Sequence, residues 1–100
     1  MTKYIIKVTY LEGIHKGKEH FLNKGGYVVD GRTDSVWQED SYTLSTCKAV
    51  CTRKYKENTA EAIFEKRERE RRIAEGKTVS KYPLYEMCSY EPYPIETVDR

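Results

Sequence analysis

From Lys3 to Tyr10 the chain alternates with a period of two. Tyr4, Ile6, Val8 and Tyr10 fall on one face, and Lys3, Ile5, Lys7 and Thr9 on the other. β-branched and aromatic residues dominate the stretch, so it predicts a strand. Leu11 to Gly17 reads as a connection, with Gly13 and Gly17 free to take backbone angles closed to other residues. Lys18 to Leu22 predicts a second strand returning as a hairpin, and Tyr27 to Val29 a short third after Gly25-Gly26. Ser35 to Gln38 offers a further strand, beyond the Asp30-Gly31 turn signal. The period then changes. Leu44, Cys47, Cys51 and Tyr55 recur at helical spacing, with Val50 beside them and Ser41 or Thr43 as caps.

That helix is expected to end near Asn58. Asn58 or Thr59 then restarts a second helix, with Glu61 three residues beyond Asn58 as in a capping box. Ala60 to Glu75 is rich in helix formers and stops at Gly76. FEKRERER also alternates, so a strand competes with the helix over this stretch. Leu84 to Tyr90 predicts a last strand, and Pro92 and Pro94 an extended tail. The order of elements implies an α+β fold: a small antiparallel sheet of three to five strands with two helices on one face. At 100 residues the chain makes one domain, residues 1–100.

Composition narrows the picture. Apolar residues are 38% of the chain and charged residues 34%, so the core must be small and its nine Tyr must supply much of it. The net charge of +2 hides an alternation of blocks. Residues 1–26 carry +3, 27–46 carry −3, 47–77 carry +4 and 82–100 carry −3. If the two basic blocks share a side, the molecule has a positive face. No run approaches the roughly 18 apolar residues needed to span a membrane. Lys3 and Lys7 bracket only three apolar residues, too few for a secretory signal. Three cysteines, an odd number, fit reduced thiols in a cytoplasm.

The stretch Glu61–Glu75 sets five Arg and Lys against five Glu around a thin apolar stripe. On a helix these charges pair at i,i+4 spacing, for about 0.2–0.5 kcal/mol a pair. The alternative role is contact with a partner. Lys66, Arg67, Arg69, Arg71 and Arg72, with Arg53 and Lys54 upstream, present cations suited to phosphate or carboxylate, the arginines through bidentate guanidinium forks. Interleaved Glu oppose tight non-specific nucleic-acid binding, so a protein or nucleoprotein complex is the better-matched partner. Tyr90 and Tyr93, beside Pro92 and Pro94, suit an interface or base stacking.

No catalytic constellation is visible. His15 and His20 have no flanking nucleophile motif, and Cys47 and Cys51 at i,i+4 read as core packing rather than half a zinc site. Glu39-Asp40 reads as plain surface rather than a divalent-metal site. The expectation is therefore no enzyme, no cofactor and no metal, with a small metal-dependent nuclease as the least favoured reading. A thin core also leaves room for a homodimer.

KYIIKVTYLEG at 3–13, KGGYVV at 24–29 and SKYPLYEMCSYEPY at 80–93 resemble small accessory proteins of phages and prophages of Gram-positive bacteria. The resemblance implies a protein acting in the cytoplasm of the bacterial host. It implies inhibition of a host nucleic-acid-handling defence complex, in the manner of anti-CRISPR proteins, by occluding a nucleic-acid or partner surface. Direct nucleic-acid binding is the alternative.

Overall fold

The computed structural model describes residues 2–26, 28–29, 38–80 and 86–96. Four antiparallel strands form one sheet: β1 (Thr2–Tyr10), β2 (Glu19–Leu22), β3 (Val28–Val29) and β4 (Cys88–Glu96), in the order β3-β2-β1-β4. Among the described residues a 3-10 turn, Gln38–Asp40, precedes one long helix, α1 (Leu44–Ala74). The α+β class holds among the described residues, but two helices do not.

The helix was expected to break near Asn58, and it does not. No Gly or Pro lies between Leu44 and Glu75, so nothing in the backbone forces a stop. Asn58 does not cap a second helix, because its side chain is engaged elsewhere. Its Nδ2 donates to the Glu86 carbonyl at 3.0 Å, and its Oδ1 accepts from the Cys88 N–H at 2.9 Å. The helix therefore runs through 31 residues. Gly76 ends it, at φ +77°, with Gly76 N–H bonded to the Ile73 carbonyl and Lys77 N–H to the Arg72 carbonyl. This Schellman arrangement needs a left-handed residue, which glycine supplies without strain.

The two faces of β1 do the work its alternation predicts. Ile6 and Val8 join Tyr42, Cys47, Cys51 and Cys88 in the core beneath α1, with Tyr4, Tyr10, Leu22, Val50 and Tyr90 around it. On the opposite face Ile5 and Ile95 pack with Phe21 and Tyr93. Lys7 shares that face, bonded to Glu19 at 2.7 Å and lying 3.6 Å from Glu91, its direct cross-strand partner. The hydrogen bond to Glu19 raises the Lys7 ammonium above its ordinary range.

The last strand lies further along than its sequence pattern suggests. β4 begins at Cys88; Glu86 and Met87 precede it, and Leu84 and Tyr85 fall outside the described residues. Pro92 and Pro94 sit inside the strand rather than in a tail. Tyr4, directly opposite Pro94, bonds through both its N–H and its C=O to Tyr42. Its polar groups therefore point away from β4, and Pro94 occupies a non-hydrogen-bonded pair. Pro92, two residues on, has the same orientation, so neither missing N–H is needed by β1. Of the strand expected at Ser35–Gln38, residues 35–37 lie outside the described residues, and Gln38 opens the 3-10 turn. Tyr27 also lies outside them.

Candidate interaction surface

The buried residues of α1, Cys47, Cys51 and Ala62, recur at three- to four-residue multiples on one side and precede Ile63. At 1.5 Å per residue the helix is about 46 Å long, while a nine-residue strand spans about 30 Å. The helix thus outruns the sheet, and its far half must stand largely in water. Helical spacing then sorts the cations. Arg53, Lys56, Ala60, Ile63, Phe64, Arg67 and Arg71 recur every three or four residues on the side away from the core, and all are exposed. Phe64 is 67% exposed and Ile63 42%. Two cations of this face are partly neutralised by their own helix: Arg71 bonds Glu68 at 2.6 Å, and Arg53 approaches Glu57 at 3.9 Å.

The other expected contact residues lie elsewhere. Lys66 and Arg69 line a groove with Ala62, Glu65, Glu70, Ile73 and Glu12 of the β1–β2 connection, and Arg69 is half-buried there. Lys54 lines a second cleft with Leu22, Glu57, Asn58, Glu61 and Tyr90. Tyr90 belongs to the helix side of the sheet, where burial pushes its hydroxyl up to about 12. Tyr93 is on the opposite side, its ring 4.8 Å from that of Phe21. Arg72 is exposed, one helical step past Glu68. The nine residues singled out in the sequence therefore do not form one surface: Arg53, Arg67 and Arg71 share a face, and the two tyrosines are on opposite sides of the sheet.

Sequence reasoning missed Ile63, Phe64 and Lys56 on that face. Their three- and four-residue spacing from Ala60 and Arg67 was the available signal, hidden while strand and helix competed. It also missed a polar junction at the β1–β2 connection, at the end of the sheet where α1 projects. Glu86 is buried, its side chain only 7% exposed, and its Oε2 lies 3.1 Å from His15 Nδ1. The same carboxylate rests on Gly13, where a Cβ would lie 2.5 Å from Oε1. With φ at +82°, Gly13 is the residue that permits both the turn and this approach. Tyr10 stands between the two histidines, 5.2 Å from the His15 ring and 5.6 Å from that of His20. Burial lowers His20 below the usual imidazole range. Glu86 is thus tied by its side chain to the β1–β2 connection and by its carbonyl to Asn58 of α1.

The three cysteines are free and buried. Cys47 donates to the Ile5 carbonyl at 3.5 Å, and burial, then Cys51, pushes its thiol up to about 12. Thiols held protonated in this way are poor nucleophiles and poor metal ligands. Among the described residues no three His, Cys, Asp or Glu side chains gather to hold a metal, and no helix is long and apolar enough to cross a membrane. Comparison with protein-family models, with curated proteins and with solved structures finds no match to this chain.

Proposed function

We propose that this protein is a non-enzymatic binding protein that acts by occlusion, using the outer face of α1. The carrying observation is Phe64 and Ile63, exposed side by side on the projecting half of a helix and flanked by Arg67 and Arg71. A helix that only had to stay in solution would place charges there; an exposed aromatic with an arginine one turn away and a second two turns away matches the composition of an interface centre. The partner that fits is a protein surface with an apolar pocket and an acidic rim. In keeping with the phage-type resemblance, we place it in a nucleic-acid-handling defence complex of the bacterial cytoplasm, in the manner of an anti-CRISPR inhibitor.

Direct nucleic-acid binding is the second reading. The four cations Arg53, Lys56, Arg67 and Arg71 on one face favour it, and the ion pairs to Glu57 and Glu68 weaken it. The test is protection of a plasmid or phage in cells that carry an active nucleic-acid-targeting defence. The wild-type protein should protect. Phe64→Asp with Arg67→Glu should abolish protection with little change in thermal stability, whereas Arg69→Glu, in the groove beside Glu12, should retain it. Protection that survives the outer-face double substitution overturns this reading. Binding to purified nucleic acid that falls steeply with salt would select the second.

A further inference from the structure

The outer face of α1 is self-complementary in one antiparallel register, and we propose that a second copy of this chain docks there about a two-fold axis. Glu57, Ala60, Phe64, Arg67 and Arg71 follow the three-four spacing of a helix–helix seam. Antiparallel pairing with Phe64 opposite the other copy's Ala60 sets the large side chain over the small one, twice by symmetry. The same register places Arg67 opposite the other copy's Glu57. Along the flank it sets Ile63 against its own symmetry mate and Lys56 against Glu70. Shifting the pairing by one heptad in either direction sets Phe64 against arginine, at position 67 or 53, and loses the charge matches. Like charges remain in two places, Arg53 opposite Arg71 in the end layers and Glu61 opposite its own symmetry mate on the second flank, where Lys54 also meets Glu68; the end arginines already lie beside acids of their own chain, Glu57 at 3.9 Å and Glu68 at 2.6 Å. Nothing of the core is needed for the contact, because Cys47, Cys51 and Ala62 lie on the opposite side of the helix.

This inference does not rest on the occlusion reading, since it concerns purified protein alone. If both hold, the second copy and the host partner compete for one face, and the monomer is the binding form.

Sedimentation across a wide concentration range should show a reversible monomer–dimer equilibrium that weakens as salt is added. Phe64→Asp should weaken dimerisation at least about tenfold, since it removes the central layer twice. Glu57→Arg and Arg67→Glu should each weaken it about fivefold, and the double substitution should restore it. Ile63→Cys should cross-link as a dimer under mild oxidation, whereas Lys48→Cys should not. Far-UV circular dichroism of each variant separates a lost contact from a lost fold. A protein that stays monomeric throughout, or a double substitution that fails to restore association, overturns the proposal. Such a result leaves the occlusion reading intact, because that reading is scored by protection of plasmid or phage.

Discussion

Asn58→Ala tests the junction between helix and sheet most directly. The side-chain amide imitates a strand neighbour: it donates to the Glu86 carbonyl at 3.0 Å and accepts from the Cys88 N–H at 2.9 Å. Removing it deletes two hydrogen bonds worth about 1 kcal/mol each. It also leaves the Cys88 N–H, at the head of a buried residue, without its partner, at a cost of about 1–3 kcal/mol where water cannot reach. Alanine is the better helix former by about 0.5 kcal/mol, which offsets part of this. The net expectation is a loss of about 2.5–4.5 kcal/mol, read as a lower urea midpoint with an unchanged m-value, or as a fall in Tm of at least about 10 °C. The helical signal of the folded protein should stay the same or rise slightly. If Asn58 instead capped a second helix, the substitution would cost about 1 kcal/mol and lower the helical signal. A loss below about 1 kcal/mol, or a drop in helicity, refutes the clamp. Asn58→Asp is the companion: it keeps the acceptor for Cys88 but turns a carboxylate toward the Glu86 carbonyl, so it should be no better than alanine.

Gly13→Ala should destabilise by about 2 kcal/mol or more, combining the cost of a side chain at φ +82° with a Cβ placed 2.5 Å from Glu86 Oε1. Adding Glu86→Ala should relieve the contact but not the backbone strain, which a denaturation cycle of the four proteins will show as partial coupling. Stability should also fall in alkali. The Cys47 thiol is held protonated up to about 12 in the fold, whereas an unfolded thiol ionises near 8.5–9, so the native state binds more protons in that window. The contribution is complete below the unfolded value and declines by about 1.4 kcal/mol per pH unit per group as pH rises toward 12, which chemical denaturation at stepped pH measures. For the same reason, thiol reagents should modify the three cysteines at the rate of unfolding rather than of free thiol. Thr59 carries a buried hydroxyl with no hydrogen-bond partner among the described residues, so Thr59→Val should be neutral or stabilise by up to about 1 kcal/mol in a urea titration.

Local pattern carried the parts of this fold that need no partner. The alternation of Lys3–Tyr10 gave β1 and the two faces it covers, because period-two patterning is a property of one strand. Gly76 marked the end of α1, because a left-handed C-cap needs glycine wherever the helix docks. Cys47 and Cys51 read as core for the same reason: their spacing puts them on one side of any helix. Asn58 shows where such reasoning stops. Its residue type suits a cap, and only the arrival of Glu86 and Cys88, about thirty positions away, gives its amide other partners and lets the helix continue. Pro92 and Pro94 look like strand breakers until Tyr4 is seen bonding to Tyr42, which turns their missing donors away from the ladder. The basic ridge met the same limit. Four arginines adjacent in sequence separate once the backbone is helical, and one of them, Arg69, turns toward Glu12. What sequence alone determined, then, was which segments alternate, which turn and which side of each is apolar. The tertiary structure decided which polar groups meet, because hydrogen bonds and exposed faces depend on residues that only folding brings together.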